Sequence, residues 1–402
     1  NAFRTLQKAA NTVIAGDSVL VSDSTYAGFD LRTSGTASKP ILFKAIGNQV
    51  IINRRNQVTS DGINIENADW ITIYGFQVIN QPRAGIRAAL ANHITISHNI
   101  CLNNGRWGIF TGFTDNFIAE YNECAFSIAE HGIYVSNSSD SARIRFNKSH
   151  DNRAAGLHFN GDISQGGDGI NHGTQVYGNI LYRNGLAGGA AINMDGNQNA
   201  WIYNNLLYDN LATGIAMFQI DGGGPSSGGK IIHNTIVMPK NGRWGILLVD
   251  GAKNTIVKNN IIINQHPFRG SIDADANSLS GLVSDYNILT NRMTPDDNTI
   301  VDSTAWKVLG FDVHSYFSPN LSNLFKNANG QDYSLVMGSK AINFGTNQND
   351  IVMAYDLNGS NRIIGSLPDA GALEFSGAPL PLHWIKVKAE SIPGKIIVEG
   401  TI

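Results

Sequence analysis

Apolar and polar residues alternate along most of this chain in short bursts, such as Ile94-Thr95-Ile96, Ile133-Tyr134-Val135 and Leu157-His158-Phe159. A period of two puts the apolar members of each burst on one face, so each burst predicts a short half-buried strand. Gly, Asn and Asp clusters break the bursts and predict turns. Residues 2–15 lack the alternation and predict a short helix.

The bursts repeat. A small residue followed by Ile or Leu recurs at Gly62-Ile63, Gly85-Ile86, Gly108-Ile109, Gly132-Ile133, Gly156-Leu157, Ala191-Ile192, Gly214-Ile215 and Gly245-Ile246. Most steps are 23 or 24 residues, with longer ones of 35 and 31 where loops are inserted. Asparagine recurs in phase at 99, 122, 147, 179, 205, 234, 260 and 287. Strands this short cannot bury their apolar faces alone, but stacked coils bury one continuous column. The leucine pattern of leucine-rich repeats and the 3.6-residue period of helical repeats are both absent. The expected fold is all-β: a single-stranded right-handed parallel β-helix, three strands per coil, with coils about 4.8 Å apart. The aligned asparagines become an internal ladder. Cys101 and Cys124 each lie two residues after a ladder Asn, so they are expected to stack as a buried thiol pair; a disulfide there would be strained.

The expected organisation has four parts. Residues 1–15 form a capping helix over the first coil. Residues 16–300 form the β-helix, 301–376 a non-repeating C-terminal cover packed over the far end, and 377–402 the start of a further segment.

Composition narrows the function. Glycine is 43 of 402 residues, without a proline excess or a three-residue period, which excludes collagen and low-complexity disorder. Net charge is −3, so nucleic acid is not an expected partner. No apolar run reaches the roughly 18 residues of a membrane helix. Two cysteines exclude a disulfide-dense scaffold and a Cys-rich metal site.

Ala15-Gly16-Asp17-Ser18-Val19-Leu20-Val21 with Ser24-Thr25-Tyr26, and the later Gly338-Ser339-Lys340-Ala341-Ile342-Asn343, Asp356, Gly359, Arg362, Gly365 and Asp369-Ala370-Gly371-Ala372-Leu373-Glu374, are similar to the first coil and closing segment of a known group. With the repeat, they make the chain resemble the right-handed parallel β-helix, pectate-lyase-like superfamily of secreted bacterial proteins. Leu380-Pro381-Leu382-His383-Trp384-Ile385 resembles the junction to a Bacteroidetes secretion-sorting domain. The resemblance implies a secreted or cell-surface bacterial protein acting on a polysaccharide, and a monomer is expected. The superfamily holds lyases, hydrolases, epimerases and depolymerases, and fold does not choose among them. The Gly-His-Gly and paired-Asp pattern of polygalacturonases is absent, as are the Lys–Arg pairs of chondroitinase-B-like alginate lyases, so site residues are argued from position.

After the inward Ile of each Gly-Ile strand, outward positions form two columns. The first reads Asn64, Arg87, Phe110, Tyr134, His158, Asn193, Ala216, Leu247; the second reads Glu66, Ala89, Gly112, Ser136, Asn160, Asp195, Phe218, Val249. Polar chemistry concentrates in the middle coils, beside the insertions at 163–173 and 221–229. The expected catalytic residues are Tyr134, His158, His131 and Asp195; the expected substrate contacts are Arg87, Asn160, Asn193, Asp162, His172 and Arg153. Trp107 is expected to pack at its turn, and Asp273, Asp275 and Asp285 to be turn residues.

The first mechanism expected is β-elimination on a uronic-acid glycan, with Tyr134 and His158 as proton-transfer groups. No metal site or cofactor is required; calcium on Asp162, Asp168 and Asp195 is the alternative means of neutralising the substrate carboxylate. The alternatives are a glycoside hydrolase using Asp162 and Asp195 and a non-catalytic carbohydrate-binding β-helix.

Overall fold

The computed structural model describes residues 3–347 and 353–377. Most of its strands form three parallel sheets of eleven, twelve and eleven strands, beside two small two-stranded sheets. Each full coil gives one strand to each sheet, as in Ile94–Ser97 (first sheet), Ile100–Leu102 (second) and Trp107–Gly112 (third). The chain is thus an all-β parallel solenoid.

The period-two alternation sets the phase. Ile94 and Ile96 are fully buried while Thr95 between them is partly exposed. In the third sheet Ile63, Ile86, Ile109, Ile133, Leu157, Ile192, Ile215 and Ile246 stack in register and are all buried.

The expected asparagine ladder is present between the first and second sheets. Asn99 Nδ2 donates to Asn122 Oδ1 (3.1 Å), and the pattern continues through Asn147, Asn179, Asn205, Asn234 and Asn260 to Asn287. Each Nδ2 also reaches a main-chain carbonyl, such as Asn147 to Ala119 O (2.9 Å), so buried turn groups are satisfied. A second ladder runs at the next corner, Asn152 to Asn184 (2.9 Å) to Asn210 (3.1 Å), where the same spacing was equally visible in sequence.

His98, Tyr121 and Phe146, each immediately before a ladder asparagine, adopt φ of 57°, 54° and 54°. The left-handed region costs a side-chain-bearing residue about 1–2 kcal/mol. Their rings stack continuously from Tyr74, at 4.7, 4.9 and 5.0 Å between centroids, and this offsets part of the strain. Cys101 and Cys124 pair in register, buried and unbonded.

The ends differ from expectation in two ways. The N-terminal helix spans only Leu6–Ala10 rather than 2–15; the following Asn11, Val13, Ile14 and Gly16 favour leaving the helix. At the other end, Trp306 joins the core, but the described residues beyond 320 do not all close the last coil. Leu324, Phe325, Tyr333, Leu335, Ala341 and Ala370 pack against Leu206, Tyr208, Val237, Ile261 and Ile263, on the outer flank of the second sheet. The closing motif residues hold this flank. Buried Arg362 donates to Glu374 Oε1 (3.0 Å), Asn204 Oδ1 (2.5 Å) and the Gly371 and Ala372 carbonyls. The segment from Pro379 to Ile385 lies outside the described residues.

Candidate functional site

The outward columns of the third sheet follow the expected register. Tyr134 lies between Phe110 and His158, His158 between Tyr134 and Asn193, and Asn160 between Ser136 and Asp195. His131, in the turn ahead of Ile133–Ser136, folds onto the same face. The His131 and His158 rings lie 4.5 Å apart, Tyr134 and His158 4.7 Å, and His131 and Tyr134 5.2 Å.

Burial and partners fix the charge state of this cluster. His131 Nδ1 accepts from the Ala155 backbone N–H (3.1 Å), so the neutral ring carries its hydrogen on Nε2. Burial, and then the nearby Arg106 charge, hold its pKa down to about 3. His158 is pushed well below the usual histidine range by burial and then by His131. Both imidazoles are therefore neutral near pH 7. Burial raises the Tyr134 phenol, outweighing the hydrogen bonds that lower it, so its proton stays. Asn193 Nδ2 lies 2.8 Å from His158 Nδ1.

Two edges frame the cluster. On one, Trp107 stacks on Phe110 (4.5 Å), and its Nε1 donates to Glu130 Oε2 (2.7 Å). Arg106 Nε donates to Glu130 Oε1 (2.8 Å). Trp107 is thus packed, as expected, though it opens the strand Trp107–Gly112 instead of sitting in a turn; Glu130 was missed, because it lies inside a turn, where no alternation marks it. On the other edge Asn160 Nδ2 donates to the Tyr134 hydroxyl (3.3 Å) and to Asp221 Oδ2 (3.3 Å), while Asn160 Oδ1 is buried without a partner.

Other expected site residues are placed differently. Asp195 is buried, and its carboxylate accepts the backbone N–H groups of Ile220 (2.9 Å), Asp221 (2.7 Å) and Gly222 (3.0 Å). It anchors the inserted loop, which corrects its expected catalytic role: both oxygens are engaged. Asp162 caps the short helix Ile163–Gln165 by accepting from Ser164 N (3.1 Å). His172 Nε2 faces Asp168 Oδ2 (3.3 Å) within the first insertion. Arg87 is drawn away, donating to Asn64 Oδ1 (2.7 Å) and Glu66 Oε2 (3.0 Å), with Phe110 between it and Tyr134. Arg153 is exposed, and no hydrogen bond or ring contact joins it to the cluster. Asp273 and Asp285 are not turn residues: Asp273 sits in the strand Ile272–Ala274, on the first outward column, and Asp285 ends the strand Val283–Asp285. Two surface depressions lie away from the cluster, one on the first sheet and one beside Tyr316.

A continuous outward column over stacked parallel strands, with loops walling one edge, defines a β-helix protein with its candidate site on a sheet face. A family described as right handed beta helix region matches residues 126–349, more than half of the chain, and the chain belongs to it. A second family, described as periplasmic copper-binding protein (NosD), matches residues 10–217, also just over half, so the chain is a member of both. No curated protein matches the sequence. Among solved structures, a pectate lyase is 17% identical with a TM-score of 0.58, over 92% of this chain and 90% of that one. An alginate lyase from a Paenibacillus species is 20% identical with a TM-score of 0.55, over 66% of this chain and 93% of that one. An α-1,3-glucanase from Streptomyces thermodiastaticus is 12% identical with a TM-score of 0.52, over 75% and 62%. At these identities the likeness is one of fold.

The second family's description names copper. Copper favours imidazole, thiolate and thioether ligands converging on one point. Among the described residues no group of three or more His, Cys, Asp or Glu is arranged to hold a metal. Both cysteines face the apolar core, and Nδ1 of His131 and of His158 each has a hydrogen-bond partner. The residues described do not fit a copper centre. Asp162, Asp168 and Asp195 likewise each serve their own loop, which counts against the calcium alternative.

Proposed function

We propose that the chain acts outside the cytoplasm as a lyase, cleaving a uronic-acid-containing polysaccharide by β-elimination on the third sheet. The observation that carries this reading is the mutual contact of Tyr134 and His158, both uncharged, on an outward sheet face. The fold shared with pectate and alginate lyases and the periplasmic family description support it. The helix Leu6–Ala10 is read as the cap of the first coil: Gln7 bonds both the N–H and the carbonyl of Asp30 in the first third-sheet strand.

The elimination needs a base for the C5 proton, an acid for the departing O4 and donors for the carboxylate. His158 is the base. With the Asn193 amide nitrogen toward the ring, the hydrogen of His158 sits on Nε2. With the amide turned over, its oxygen accepts from Nδ1–H and the Nε2 lone pair is free to take the proton. The C5–H bond breaks as the C4–C5 double bond forms, and the C4–O4 bond breaks. Tyr134 gives its proton to O4, and solvent then carries the proton taken by His158 away and reprotonates the Tyr134 phenolate. His131, with Nε2–H outward, donates to the substrate carboxylate as its charge spreads.

The hydrolase alternative is weakened because both of its carboxylates, Asp162 and Asp195, already bind loop N–H groups. The test is incubation with pectate, alginate and glycosaminoglycans. Ultraviolet absorbance from the unsaturated product supports the lyase. New reducing ends without absorbance mean a hydrolase, and binding with neither means a binding protein.

A further inference from the structure

The outer face of the first sheet carries a second set of features that the third-sheet cluster does not use. A depression of ≈ 370 Å³ runs across successive coils there. Its floor is the outward column Thr72, Thr95, Ile118 and Arg143, which stack in register. One side is the row of left-handed turn residues Trp70, His93, Asn116 and Ser141, with Trp70 and His93 stacked at 3.7 Å. Ala37 and Pro40, from the turn bridged between Thr36 and Lys39, close one end. The volume falls in the range of ligand clefts.

The depression is directional. It crosses strands about 4.8 Å apart, a rise close to the length of one sugar residue, so hydroxyl and amide groups recur along it at each sugar. Arg143 is exposed at its open end and is the only charged side chain lining it. Beyond Arg143 the column continues through Gln175 and Trp201 to Lys230, whose ammonium lies 4.0 Å from the Trp201 ring centre. The carboxylates at the same corner are turned into the turns: Asp69 accepts from Asn92 N (2.7 Å), Asp115 from Asp140 N (2.8 Å) and Asp140 from His172 N (2.7 Å). Glu120, one column over, is held by Arg145 Nε (2.7 Å).

We infer that this face is a non-catalytic track for a linear polyuronate, with Arg143 and then Lys230 meeting its carboxylates and the threonine and asparagine rungs meeting its hydroxyls. The inference rests on the acidic-glycan reading of the third sheet, but it concerns a different face. It gives the protein a means of staying on a long chain while the third sheet works on another segment.

The experiment measures affinity for long and short polygalacturonate and alginate by calorimetry and gel retardation, in a His158→Ala background so that no turnover intrudes. Arg143→Glu, and separately the groove-filling Thr95→Trp, are expected to weaken binding of the long polymers at least fivefold, with trimer binding unchanged. Added salt is expected to weaken the Arg143-containing protein more than Arg143→Glu. Unchanged polymer affinity in both variants overturns the inference, as does a chain with Arg143 intact that holds neutral glucan but no polyuronate. Loss of polymer binding in these variants without any lyase turnover in the His158-containing protein leaves the track standing and removes the proposed reaction.

Discussion

His131 and Ala155 are joined across one coil by a 3.1 Å hydrogen bond, from the Ala155 backbone N–H to the His131 Nδ1. A backbone N–H only donates, so this contact fixes the ring tautomer and leaves the hydrogen on Nε2, which lies 3.9 Å from Glu130 Oε2. Positioning and chemistry therefore sit on different nitrogens of one residue and can be separated by mutation.

Asparagine places its oxygen where histidine places Nδ1. His131→Asn is thus expected to keep the Ala155 contact and the melting temperature to within a degree or two, while kcat falls roughly 10²-fold for want of the Nε2 donor. His131→Ala loses both and strands a buried N–H, at a cost of about 1–3 kcal/mol. Thermal melts and initial rates check the pair. Equal kcat in His131→Asn and the parent protein would remove His131 from the reaction.

The 2.8 Å contact between Asn193 and His158 Nδ1 makes a pH prediction. Burial holds the His158 pKa well down, so protonation limits activity only in acid. Asn193→Asp puts an acceptor-only carboxylate beside Nδ1, which favours both Nδ1–H and the imidazolium. The acidic limb of kcat/KM is expected to move to higher pH, by about one unit or more. A profile that does not shift rules out His158 as the base.

Asp195 is expected to matter through the loop, not the chemistry. Asp195→Ala removes the acceptor for three N–H groups on residues 220–222, and charge-assisted bonds of this kind contribute about 1.5–3 kcal/mol each at most. Limited proteolysis is expected to cut near Gly222–Gly224 sooner, with kcat/KM reduced less than tenfold and its pH limbs unmoved. Disappearance of a limb would restore the acid–base role that the sequence suggested.

The contrast between Asp195 and Tyr134 shows what the sequence could carry. Alternation and the 23-residue step place each side chain in or out and name its neighbours one coil away, so the columns, the asparagine ladder and the Tyr134–His158–Asn193 adjacency were legible. Main-chain partners leave no such mark. Nothing in the residue order says that three loop amides converge on Asp195, that Ala155 takes His131 Nδ1, or that Glu66 draws Arg87 from the site. The flank formed by residues 321–347 and 353–376 was misjudged for a related reason: once the repeat stops, register no longer says which surface a segment covers.

The ladder gives a stability test away from the site. Asn147 accepts from Asn122 N (3.0 Å) and Asn122 Nδ2 (3.0 Å), and donates to Ala119 O and Asn179 Oδ1. Asn147→Ala leaves several buried groups unpaired and is expected to cost about 2–4 kcal/mol. Asn147→Asp, which keeps the acceptor but loses the donor, should lie no closer to the parent protein than 1 kcal/mol at neutral pH. Denaturant unfolding reads both, and a change under about 0.5 kcal/mol for the alanine variant would mean the rungs are individually dispensable.

Asp273 supplies a pH-linked prediction. It is buried on the outward column of the third sheet, with the Thr294 hydroxyl donating to it and the exposed Asp297 nearby. Burial, with a further contribution from Asp297, raises its pKa to about 6, against the lowering effects of Thr294 and Arg269. The folded state therefore holds this proton more tightly than the unfolded chain, where the group titrates near 3.8. Where the folded state binds more protons, stability falls as pH rises. The loss runs between about pH 4 and pH 6 and is complete above it. Two pKa units correspond to roughly 3 kcal/mol, and partial solvent screening of the pair reduces this to about 2 kcal/mol or less. Asp273→Asn keeps the shape without the charge, so its unfolding free energy is expected to exceed the parent's at pH 8 by that amount and to match it near pH 4. A difference that stays constant across this range would show that Asp273 does not titrate there in the folded protein.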